Sequence, residues 1–96
     1  MRTAWMRENE PSEEAIRGEI LRQLFCGGPG HTICPTDVGR ALAERWREHM
    51  TLIRDVANQM AVDGLIEFIQ RGQVVDGETT QGNVRLRLPA NGPSTV

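Results

Sequence analysis

The hydrophobic period of this chain changes once, at Asp63-Gly64, and that change restricts it to a mixed fold. Before it, apolar residues recur at helical spacing in three stretches. After it, Val84, Leu86 and Leu88 alternate with Arg85 and Arg87, as in a strand with one buried face. One pattern cannot serve both periods. The sequence therefore predicts helices first and a small sheet last.

The local signals agree. Ser12 is an expected N-cap, with Glu13 and Glu14 in the first turn, where acids favour the helix dipole. Ile16, Ile20 and Leu24 form a stripe that Leu21 and Phe25 widen, until Gly27-Gly28-Pro29-Gly30 stops the helix. Thr32 to Cys34 reads as a short β-stretch, with Cys34 expected to point into the core. Pro35 suits the first position of a second helix, with Thr36 and Asp37 in its first turn and Val38, Ala41 and Leu42 inside. Gly39 weakens that helix but allows close packing against another. After a break near Glu44, a third helix is expected from about Arg45 to Val62. Trp46, Met50, Ile53, Ala57, Met60 and Ala61 share its stripe, with Val56 at the margin. Trp46 is expected to fill the core, its indole N–H on a backbone carbonyl. Gly64 suits a left-handed cap. Leu65 to Gln70 then reads as a strand, Arg71-Gly72 as a tight turn and Gln73 to Val75 as the return. Asp76 to Asn83 is a polar loop, and Val84 to Leu88 is the last strand, ended by Pro89.

This order predicts an α+β winged helix-turn-helix, three helices plus a small antiparallel β-wing. The expected organisation is a flexible arm over 1–11, the domain over 12–89 and a flexible tail over 90–96. An unrelated α+β domain with the same element order is the alternative.

The pieces TICPTDVGRAL, WREHM, IRDVANQMAVDGLI and GNVRLRL occur in that order. With the first helix, they resemble a bacterial family of small proteins catalogued as a domain of unknown function, number thirty-two fifty-three. The resemblance covers roughly residues 13–88. It implies a winged-helix fold and assigns no activity. Asn83 departs from it, since the family is expected to carry proline after that glycine.

Charge argues against indiscriminate nucleic-acid binding. The 96 residues carry a net charge of −2, and phosphate attraction favours basic domains. All 11 basic residues are arginine, a side chain suited to bidentate pairing with phosphate, guanine or carboxylate. Within residues 45–64, Arg45, Arg47 and Arg54 balance Glu48, Asp55 and Asp63. No apolar run is long enough to span a bilayer, and Met1 to Glu10 lacks a signal-peptide core. A cytoplasmic protein without a membrane partner is expected.

Two functional readings stand side by side. In the first, the third helix enters the major groove of double-stranded DNA as part of a transcription-regulatory module. Thr51, Arg54, Asn58 and Gln59 are then its candidate base readers, with Asp55 on the same face. Arg71 at the turn and Arg85 and Arg87 on the last strand are candidate phosphate contacts. The competing reading of these positions is a solvated surface, with Arg47 and Arg54 bracing acids within the fold. In the second reading the domain binds a protein partner or forms a homodimer without touching DNA, using exposed Trp5 or Leu52.

No enzyme, cofactor, metal or small-molecule substrate is expected. Cys26, His31, Cys34 and His49 match no familiar zinc spacing. His31, Cys34 and Asp37 lie too close along one segment to make a triad geometry. Gly27 to Gly30 lacks the Lys-Ser/Thr of a phosphate loop. In a reducing compartment, Cys26 and Cys34 are expected to be free, partly buried thiols.

Overall fold

The computed structural model describes residues 10–28, 30–77, 80 and 82–89. Helix α1 spans Glu13–Gly27, strand β1 Thr32–Ile33, helix α2 Pro35–Leu42 and helix α3 Met50–Val62. Strands β2 (Glu67–Gln70), β3 (Gln73–Val75) and β4 (Arg85–Arg87) follow. All pairings are antiparallel, and the sheet order is β1-β4-β2-β3. The fold is α+β, three helices plus a four-stranded sheet, and is compatible with a winged helix-turn-helix. Among the described residues, no helix is long and apolar enough to cross a membrane. The proposed arm, with Trp5, and the tail lie largely outside the described residues.

The core forms where the helical stripes meet the inner face of the sheet. Ile16, Ile20 and Leu24 of α1 pack with Val38 of α2 and with Ile53, Val56, Ala57 and Met60 of α3. Ile33, Ile66, Phe68, Val84 and Leu86 close it from the sheet side. Each of these side chains larger than alanine gains about 1.5–3 kcal/mol from burial.

Caps define the ends. Ser12 Oγ accepts the Ala15 amide at 3.0 Å and starts α1. Gly28, at φ 84°, ends it. Cys34 occupies the N-cap of α2 and is half-buried; it does not fill the core as its sequence context predicts. Its amide donates to Asp37 Oδ2 at 3.0 Å, and Thr36 Oγ1 donates to its Sγ at 3.2 Å. Gln23 joins α1 to α2, donating to Asp37 O at 3.2 Å and to Glu19 Oε2 at 2.7 Å. A hydrogen bond from Arg22 holds the Glu19 carboxyl below its usual ionisation range. Burial opposes that shift, and Gln23 reinforces it.

The segment between α2 and α3 departs from the sequence reading. Ala43 is extended at φ −154°, and Arg45, at φ −98° and ψ 48°, is not helical. Trp46–His49 form a 3-10 turn, and the α-helix begins only at Met50. Trp46 therefore leaves the α3 stripe. It is half-buried at the surface and outside the apolar core. Gly39 does provide the predicted close approach. A Cβ there would lie 3.0 Å from Trp46 Cβ and 3.3 Å from Met50 Sδ.

Other expectations change as well. Phe25, placed on the α1 stripe, is 62% exposed. Ala41, expected on the inner face of α2, is exposed. Leu52, expected at the surface, is partly buried against the core. The second strand begins at Glu67, not Leu65.

Candidate nucleic-acid interface

The outer face of α3 carries Thr51, Asp55 and Gln59, all exposed, with Arg54 and Asn58 half-buried at its margin. Gln59 Nε2 donates to Asp63 Oδ1 at 3.3 Å, one turn on.

Arg54 has a different task from the one its helix position suggests. After β3 the chain returns to β4, which lies on the other side of β2. Gly77 makes that crossing over Phe68, so close that a Cβ would come within 2.7 Å of the ring. Arg54 holds the crossing from the α3 side. Its Nη2 donates to Thr80 O at 2.9 Å and its Nη1 to Gly82 O at 3.4 Å. Its guanidinium carbon lies 5.9 Å from the Phe68 ring centroid. Gln70 Nε2, at the end of β2, donates to Asn83 O at 3.1 Å. Arg54 of α3 and Gln70, next to the Arg71-Gly72 turn, thus hold neighbouring residues of the same crossing.

The last strand's arginines also find partners inside the sheet. Arg85 Nε donates to Thr32 Oγ1 at 2.6 Å and its Nη2 to Thr32 O at 3.1 Å, fastening β4 to β1. Arg87 pairs with Glu67 at 3.1 Å, across from it on β2. Of the four arginines singled out as DNA contacts, three thus have donors committed to the fold.

Arg71 is the fourth. It is exposed in the two-residue β2–β3 turn, at φ 55°, followed by Gly72 at φ 82°. Two positive φ values suit the right-handed twist of a hairpin, but Asn or Gly adopts them more cheaply than arginine.

A further cationic group escapes the sequence reading. Arg40, in the last turn of α2, lies 5.1 Å from the Trp46 ring centroid, and Arg47 lies 4.4 Å from it. Adjacency pairs Trp46 with Arg47, but only the turn after Ala43 brings Arg40 to the same ring.

The cysteine and histidine residues do not converge. Cys26 and Cys34 are free thiols; Cys34 is half-buried, but Cys26, expected to be partly buried, is exposed near the end of α1, and the His31 ring lies against the backbone of Gly27. Among the described residues, no three His, Cys, Asp or Glu side chains cluster closely enough to hold a metal ion.

A search of curated proteins returns no match. A family model does match, over residues 13–89, which takes in every helix and strand of the domain. The chain belongs to that family, described as Protein of unknown function (DUF3253).

Proposed function

We propose that this domain is a winged helix-turn-helix module that binds duplex DNA in transcription regulation. In this reading α3 lies in the major groove, and Thr51, Asn58 and Gln59 face base edges. The wing turn reaches phosphate through Arg71. The observation that carries the reading is Arg71 itself. An arginine in the left-handed region costs roughly 1–2 kcal/mol, and it stands exposed next to Gln70, which binds the same crossing as Arg54 of α3. An Asn-Gly turn would relieve that strain and lose the charge.

Arg71→Asn is therefore expected to act in opposite directions on stability and binding. The thermal midpoint rises by a few degrees, about what 0.5–1 kcal/mol gives in a domain of this size. Affinity for a mixed-sequence duplex, read by fluorescence anisotropy at low salt, falls several-fold. A variant that is more stable and binds equally well removes Arg71 from the interface. Wild-type protein that binds no duplex at low salt refutes the DNA reading.

A second reading has its own observation. Val74 is 57% exposed on β3, an edge strand of the sheet, and Val62 is 71% exposed at the end of α3. An exposed apolar side chain on an edge strand, such as Val74, suits a protein partner or a second copy of the chain. Sedimentation of wild type and Val74→Lys tests this. A dimer that the lysine dissolves supports it, and a monomer at all concentrations rules out self-association.

A further inference from the structure

We infer that Arg40, Trp46 and Arg47 form an anion clamp at the turn between α2 and α3, and that its ligand is a phosphodiester group of DNA. The inference rests on the DNA-binding reading above and gives it a contact outside α3 and the wing.

The clamp follows from packing. Gly39 lets the Trp46 backbone settle against α2, with 3.0 Å between Trp46 Cβ and the place a Gly39 Cβ would take. That approach fixes the indole beside Arg40, one residue along the helix. Arg47 follows Trp46 in the tight turn and lies against the same ring. Stacking engages the flat face of a guanidinium and leaves its N–H donors, which lie in the plane, directed outward. Both arginines are exposed, and among the described residues neither forms an ion pair or donates a hydrogen bond. This separates them from Arg22, Arg54, Arg85 and Arg87, whose donors already reach internal acceptors.

The chemistry selects an oxyanion. Two planar forks held by one indole present donors whose rotamers are already restricted, so less entropy is lost on binding. Such donors suit phosphate or carboxylate oxygens. Position favours phosphate. The turn immediately precedes α3, the helix read as lying in the major groove. In a helix-turn-helix complex, the helix before the recognition helix crosses the DNA backbone.

The test uses the full chain carrying Trp5→Phe, so that Trp46 is the one remaining tryptophan. A short mixed-sequence duplex and poly-glutamate are titrated separately, reading anisotropy and Trp46 emission over a range of salt. Duplex binding is expected to change Trp46 emission. The R40Q/R47Q double variant should melt as the parent does and bind the duplex about tenfold more weakly. Its salt slope should be smaller by about 0.9 for each phosphate that the arginines no longer neutralise. R40K/R47K, which keeps the charge but not the planar fork, should fall between them. If the duplex binds and R40Q/R47Q matches the parent in affinity and slope, the clamp is overturned while the DNA reading stands. If the parent binds no duplex at low salt, both fail. Loss of poly-glutamate binding in R40Q/R47Q would then reassign the site to an acidic protein partner.

Discussion

Replacing Arg54 with methionine removes the guanidinium and keeps an unbranched stem over Phe68. The bond from Nη2 to Thr80 O, at 2.9 Å, is charge-assisted, and such bonds contribute about 1.5–3 kcal/mol. The contact with Gly82 O, at 3.4 Å, is long and adds little. Proximity to the Phe68 ring adds about 0.5–1 kcal/mol. Arg54 is half-buried, so the lower ends of these ranges apply, and the expected loss is about 2 kcal/mol. For a domain of this size that lowers the thermal midpoint by roughly 8–16 °C. Urea unfolding with an unchanged m-value would identify the loss as one of folding stability. Amide exchange should quicken in residues 82–84 and at the end of β2, because the crossing loses its hold on α3. Arg54→Lys keeps the charge but not the fork and should recover about half of the loss. A methionine variant that melts like wild type but binds DNA more weakly would refute this bracing role and return Arg54 to the base-reading face.

Three further outcomes follow from the packing and the charges. Gly39→Ala gains about 1 kcal/mol of helix propensity but pushes Trp46 and Met50 off α2, so a net loss of about 1 kcal/mol is expected, with altered Trp46 emission. Equal or greater stability would mean that the contact yields freely. Gly77→Ala drives a methyl into the Phe68 ring and should destabilise by about 1–3 kcal/mol; an unchanged urea midpoint would show that the crossing has room. Glu19 ionises more readily in the folded chain, so its contribution is complete above the unfolded-state carboxyl value and is lost as pH falls through the lower folded one. Glu19→Gln should flatten the acid limb of the stability curve in that window, and an identical limb would show that Arg22 and Gln23 do not hold the carboxylate.

The local rules explain why so much of the architecture could be read along the chain. The Ser12 cap, Pro35 opening α2 and the two-residue turn at Arg71-Gly72 each depend on neighbouring residues. The helical stripes and the alternation at Val84 to Leu88 likewise show which faces are buried, because period alone separates inside from outside. Phe25 marks the limit of that inference. It lies beside the stripe, yet among the described residues no element covers it, and covering is a property of the assembled domain.

What each arginine faces belongs to the tertiary structure. Position on α3 puts Arg54 near the surface, but its acceptor lies 26 residues away, on a loop whose path across Phe68 is set by the sheet order. Arg85 likewise reaches Thr32, 53 residues back, because β4 lies between β1 and β2. Trp46 becomes a surface platform because the chain leaves α2 extended at Ala43 and resumes the α-helix only at Met50. Burial of short apolar side chains is a matter of one face, which the sequence carries in its period. The partner of a long polar side chain is decided by whichever distant backbone comes within reach, and that exists only once the chain has folded.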